Sequence, residues 1–214
     1  TTGENNSALG TCSLRANTIG IDNTAVGSNA VRSNTTGGRN VGVGMSALYT
    51  NTTGCCNVAV GRQALYYTTV SDNTAVGNNA LLENTTGTSN VAVGLSALQT
   101  NTTGVENVAV GRAAGYSNTT GQRNTSIGRE AGYGITTGTN NTAIGVNAGG
   151  GASPFNITTE SYRVVIGDND VSNAYIRVAW TVTSDLRDKT NFGTVPHGLD
   201  FVNKLEPVSF QFKK

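Results

Sequence analysis

Three cysteines, Cys12, Cys55 and Cys56, and one histidine, His197, are the soft metal ligands available in this 214-residue chain. An odd thiol count with no paired spacing cannot assemble a tetrahedral zinc site, so neither a metal nor a cofactor is expected. Cys55 and Cys56 read as replacements for ordinary loop residues between Gly54 and Asn57, with an interchain disulfide as the weaker alternative. Hydrolysis of a polysaccharide would require paired carboxylates. The acids in the first two thirds of the chain are few, chiefly Asp22, Asp72, Glu83, Glu106 and Glu130. Arg62, Arg112 and Arg129 share one repeat position; we read them as solvated surface rather than as a receptor-facing strip. Asn34, Asn51, Asn84, Asn101 and Asn118 each open an Asn-Thr-Thr that satisfies the glycosylation sequon. The turn reading is preferred, because Asn and Gly supply left-handed backbone and Thr hydroxyls bond local amides.

What must position these residues is a repeat. A glycine closes an apolar pair at Gly10, Gly27, Gly44, Gly61, Gly77, Gly94, Gly111, Gly128 and Gly145, a spacing of 17 with one step of 16. A second glycine column, mostly ending Thr-Thr-Gly, runs in phase through Gly3, Gly20, Gly37, Gly54, Gly87, Gly104, Gly121 and Gly138. Its absent member falls at Thr68-Thr69-Val70, where the short step lies, so the deletion sits in a turn. Thr1-Thr2-Gly3 is the middle of a unit, from which residues upstream are expected. Seventeen residues with two glycine breaks hold short strands and turns, and no helix of ordinary length.

Stacking each strand on its copy in the next coil satisfies the backbone of such a unit and gives a parallel β-solenoid, with rungs ~4.8 Å apart and a stack of roughly 40 Å. Asn23, Asn40, Asn57, Asn73, Asn90, Asn107, Asn124 and Asn141 then form a ladder. Alternation in the first strand is expected to place Val26, Val43, Val60, Val76, Val93, Val110, Ile127 and Ile144 inside the coil, with the Thr or Val two residues earlier. A second strand carries two adjacent columns, Ala30, Ala47, Ala64, Ala80, Ala97, Ala114, Ala131, Ala148 and Val31, Leu48, Leu65, Leu81, Leu98. If alanine points in, leucine points out, and an exposed leucine stripe calls for cover by another chain. A three-fold arrangement would bury it on an axis. Where Gly115, Gly132 and Gly149 replace leucine, the chains should approach more closely or the stripe should turn away.

The unit resembles the head repeats of trimeric autotransporter adhesins, whose β-roll recurs in Asn, small and aliphatic residues ending in Gly, and the repeats of phage and algal-virus fibre proteins. Stacked threonines also suggest ice-binding solenoids, but the adjacent pair ending in Gly belongs to a turn. The resemblance covers residues 1–149. From 150 to 183 the period is lost: Tyr162-Arg163-Val164-Val165-Ile166-Gly167 and Ala174-Tyr175-Ile176-Arg177-Val178-Ala179-Trp180 read as strands around Asp168-Asn169-Asp170.

Ser184-Asp185-Leu186-Arg187-Asp188-Lys189, followed by Gly198-Leu199-Asp200-Phe201-Val202-Asn203-Lys204-Leu205, is similar to the opening of the intramolecular chaperone of endosialidase-type tail spikes and fibres, found also in some eukaryotic membrane-bound transcription factors. Its Ser-Asp-x-Arg-x-Lys signature is complete. Outside that signature, Ser184 and Lys189 would read as loop-surface residues. The resemblance implies a domain that trimerises, helps the shaft wind and releases itself by cutting at Ser184, with Lys189 assisting. A neutral amine can take the hydroxyl proton if burial depresses its pKa. The family's domain runs well beyond the point where this chain stops, so residues 184–214 are the start of a truncated chaperone, with Leu199, Val202 and Leu205 on one face of a first helix. Autoproteolysis would be a single event, inactive in the truncated chain, and no turnover enzyme is expected.

Charged residues are 13% of the chain and net charge is +1, so neither nucleic acid nor an anionic membrane is an expected partner. The longest apolar runs are far short of the ~20 residues that span a bilayer. The combined expectation is an all-β, trimeric, parallel β-solenoid of 17-residue coils, followed by a short β region and the first helix of a chaperone. Its expected role is a structural fibre segment of a virion that supports attachment to a host-surface glycan or protein. The alternatives are a bacterial trimeric adhesin head on a cell surface, and less so a depolymerising spike or an ice-binding solenoid.

Overall fold

The computed structural model describes residues 2–150 and 156–173. Ten strands of three residues follow one another: β1 (Ser7–Leu9), β2 (Thr24–Val26), β3 (Val41–Val43), β4 (Val58–Val60), β5 (Thr74–Val76), β6 (Val91–Val93), β7 (Val108–Val110), β8 (Thr125–Ile127), β9 (Thr142–Ile144) and β10 (Val164–Ile166). They form one parallel sheet in sequence order, each strand paired in register with the next. This is the β-solenoid expected from the period. Strand starts advance by 17 residues, except for 16 between β4 and β5 and 22 between β9 and β10. The longer last step still brings Val164 opposite Thr142 and Ile166 opposite Ile144. No helix among the described residues is long and apolar enough to cross a membrane.

Which face of the strand looks inward differs from the sequence expectation. From β2 to β10 the central residue of the triplet is the buried one: Ala25, Ala59, Ala75, Ala92, Ala109 and Ala143 are fully buried and Ser126 nearly so. Val26, Val43, Val60 and their equivalents lie on the outer face with the Thr or Val two positions before them. The asparagine preceding each of β2 to β9 settles the parity. It is buried, so the residue two positions later is buried too, and a one-residue slip moves every side chain to the other face. At Gly42 even a methyl has no room: a Cβ there would stand 2.5 Å from Val31 Cγ2.

The leucine column also lies elsewhere than expected. Val31, Leu48, Leu65, Leu81 and Leu98 are buried together with the alanines that precede them. The segment is not a strand. Leu48 has φ 52 and Ser46 φ 59, and the same pair of left-handed residues recurs in other coils. Left-handed backbone breaks the period-two alternation, so adjacent side chains both turn into the coil. No leucine stripe faces solvent, and an oligomer cannot be argued from one. Gly115, Gly132 and Gly149 keep the left-handed corner, with φ 59, 58 and 62. Neither a closer approach of chains nor a turned stripe is needed to explain them, because the core is refilled from within. Ile135 and Ile157 are buried, and their Cδ1 atoms lie 3.0 and 3.1 Å from where a Cβ on Gly132 and Gly149 would stand.

The asparagine ladder is present and has more bonds than side-chain stacking alone. In the step from Asn73 to Asn90, the Asn90 backbone N–H donates to Asn73 Oδ1 at 3.0 Å, and Asn90 Nδ2 donates to Gly104 O at 2.8 Å. A second ladder, Asn17, Asn34, Asn51, Asn84, Asn101 and Asn118, converges on the same glycine carbonyls: Asn101 Nδ2 donates to Gly104 O at 3.0 Å and to Asn84 Oδ1 at 2.8 Å. Two buried amides thus clamp the turns that end at Gly37, Gly54, Gly87, Gly104 and Gly121. The second ladder breaks where Thr68 and Ile135 take the asparagine position, and there Asn51 Oδ1 and Asn118 Oδ1 have no partner among the described residues. The apolar column also needs its glycine: Gly27 has φ 126, and a Cβ there would stand 2.7 Å from Gly44 O.

Candidate functional site

Ser184 and Lys189, the strand expected at residues 174–180 and the helix expected at 199–205 lie outside the described residues. The described region offers surfaces rather than a catalytic cleft, and the coil geometry determines what each one carries.

The outer face of the sheet is the most uniform of them. One column reads Ser7, Thr24, Val41, Val58, Thr74, Val91, Val108, Thr125, Thr142 and Val164; the other reads Leu9, Val26, Val43, Val60, Val76, Val93, Val110, Ile127, Ile144 and Ile166. None of these positions is charged. Exposure is 38% at Val110 and 40% at Ile127, and rises at the two ends of the stack to 69% at Leu9 and 61% at Ile166. β-branched side chains suit a sheet surface, but a continuous uncharged ridge is unusual for one facing water.

Charge sits beside this face instead. Arg112 pairs with Glu130, and Arg129 Nη1 lies 3.3 Å from the same carboxylate. Arg123 Nε bonds Glu106 Oε2 at 2.8 Å. These half-exposed pairs are worth about 0.2–1 kcal/mol each, which suits a solvated surface. They also engage two of the few acids a hydrolytic pair would need. A further column was not recognised in the sequence although its 17-residue spacing was readable: Tyr49 stacks on Tyr66 at 4.9 Å and Tyr116 on Tyr133 at 5.1 Å. The Arg32 guanidinium lies 5.3 Å from the Tyr49 ring centroid, and Tyr67 meets Tyr66 edge-on. Burial, then the neighbouring Tyr49, pushes the Tyr66 hydroxyl above its ordinary pKa.

The sequon asparagines are structural. Asn34, Asn51, Asn84, Asn101 and Asn118 are buried with Nδ2 committed to the coil, which supports the turn reading. Cys12, Cys55 and Cys56 are free thiols of intermediate burial. The Cys56 thiol is pushed above its ordinary pKa, first by its hydrogen bond with the Cys55 thiol and then by burial. At the longer last coil, Glu160 Oε2 accepts from the Thr158 and Thr159 amides at 2.7 and 3.1 Å. The Thr158 amide bond is the leading cause holding that carboxyl below its ordinary pKa. No group of three His, Cys, Asp or Glu side chains that could hold a metal occurs among the described residues.

No curated protein and no solved structure matches the chain. Residues 184–214 match the family described as Chaperone of endosialidase.

Proposed function

We infer that this chain is a shaft segment of a virion fibre, assembled as a homotrimer whose chains cover one another's Val/Ile sheet face. In this reading, residues 184–214 open a chaperone that assists trimerisation and, when complete, cuts the chain at Ser184 with Lys189 as the base. The shaft holds a distal tip away from the particle and supports attachment to a host-surface glycan or protein.

The observation that supports this reading most is the sheet face that carries no charge on any of ten successive rungs. The apolar core of a single coil is only alanines and one larger aliphatic side chain, too thin for much stability of its own. Covering the face removes apolar area from water at about 25 cal/mol per Å². A second copy has the same rise per rung, so its ridges stay in step along the whole stack, and a cyclic arrangement closes without leaving a face open. The repeats alone would equally suit a bacterial adhesin head; the chaperone match favours the virion.

Light scattering on the intact chain tests the assembly, with Val110→Lys as the perturbation. Val110 lies on the outer face, so lysine there should leave the coil folded and lower the mass; a Val110→Lys protein of unchanged oligomeric mass would refute the assignment of the face. For the cleavage reading, Ser184→Ala in a chain carrying a complete chaperone should abolish scission, and an unchanged fragment pattern would remove the Ser184–Lys189 assignment.

A further inference from the structure

Cys55 and Cys56 belong to neither the coil interior nor the sheet face. They form the corner between the Thr52-Thr53-Gly54 turn and β4, partly exposed. In extended chain, neighbouring side chains would face opposite ways. Cys56 is left-handed, with φ 60, the same device that turns Ala47 and Leu48 to one side. The two thiols are accordingly tethered side by side on consecutive residues of one corner, and Cys55 is the leading influence that raises the Cys56 pKa. Neighbouring coils hold the pair in place: the Cys55 amide donates to Ser71 Oγ at 3.0 Å, Cys55 Sγ lies 3.3 Å from that hydroxyl, and the Cys56 amide donates to Gly38 O at 3.1 Å. Nothing in the coil demands sulfur there, since the same corner is Gly38-Arg39, Ser71-Asp72 and Thr88-Ser89 in other coils.

We propose that Cys55 and Cys56 form a vicinal-dithiol site that binds a thiophilic metalloid of the arsenic(III) class through both sulfurs. A zinc-type ion would call for a tetrahedral ligand set, whereas an organic arsenic(III) compound needs two sulfurs only. With phenylarsine oxide, both S–H protons pass to the oxide oxygen, two As–S bonds form as the As–O bond breaks, and one water leaves; nothing is oxidised or reduced. Because the second thiol is already beside the first, the second bond closes intramolecularly, at an effective concentration a free monothiol cannot match.

The test is intact-mass spectrometry of the folded full chain treated with one equivalent of phenylarsine oxide in excess glutathione. One arsenical per chain is expected, retained against glutathione and released by dithiothreitol. It should be lost in Cys55→Ser and in Cys56→Ser and kept in Cys12→Ser. Serine already occupies these two corner positions at Ser71 and Ser89, so the variants should keep the coil, which far-UV circular dichroism checks. No adduct, an adduct displaced by glutathione, or an adduct that survives in either single variant would overturn the proposal.

Discussion

Asn90→Ala isolates what the asparagine ladder contributes. In the native coil, Asn90 is fully buried; its Nδ2 donates to Gly104 O at 2.8 Å and to Asn73 Oδ1 at 3.3 Å, and its Oδ1 accepts from the Asn107 amide at 3.0 Å and from Asn107 Nδ2 at 3.2 Å. Alanine does not orphan all of these groups. Asn73 Oδ1 keeps the Asn90 backbone N–H, Gly104 O keeps Asn101 Nδ2, and Asn107 Nδ2 keeps Gly121 O. The group left without a partner is the buried Asn107 backbone N–H, at about 1–3 kcal/mol; the second bond to Gly104 O adds about 0.5–1.5 kcal/mol. The expected loss is therefore about 2–4 kcal/mol, read from the midpoint of urea unfolding with an unchanged slope. Asn78→Ala, at an exposed position, serves as the control and should stay within about 0.5 kcal/mol. If Asn90→Ala were no more destabilising than Asn78→Ala, the ladder would be ornament and the reasoning refuted.

Leu65→Ala should cost about 2–5 kcal/mol in the same assay, because the side chain is fully buried; a loss near that of Asn78→Ala would restore the outward-facing leucine. Thr68→Asn should rejoin the second ladder by giving Asn51 Oδ1 a donor, raising stability by about 1 kcal/mol; a lower melting temperature would mean the 16-residue coil cannot seat the amide. The Glu160 carboxyl is depressed in the folded chain, so its contribution is present above the ordinary value of 4.5 and is lost as pH falls through the lower native value. The amide resonances of Thr158 and Thr159 should titrate with a midpoint below 4.5, and a midpoint at or above it would contradict the amide-bound carboxylate.

Much of this architecture was legible in the order of residues. Two in-phase glycine columns announced a stacked coil, and even the deletion at Thr68-Thr69-Val70 was placed in its turn. The face assignments were not legible by alternation alone, for one reason at two places. Alternation holds only within an unbroken strand, and each strand here is three residues long. The left-handed residue at Leu48 and its equivalents puts neighbours on one side, and a leucine at positive φ carries no composition signal of its own. For β4 the parity was in fact readable from Asn57: a polar residue that stacks on copies of itself is buried, which places Ala59 inside and Val60 outside. The compensation of Gly132 and Gly149 by Ile135 and Ile157 was hidden for a related reason, since partners in a solenoid core sit in different columns and different coils.

The central claim, that the uncharged Val/Ile face is covered by copies of the same chain, is tested most directly by the absolute mass of the intact protein in solution by light scattering. A mass of three times the 22.0 kDa chain is expected, falling toward one chain in Val110→Lys with the β-signal retained. A native protein that elutes and scatters as a single 22.0 kDa chain would contradict it.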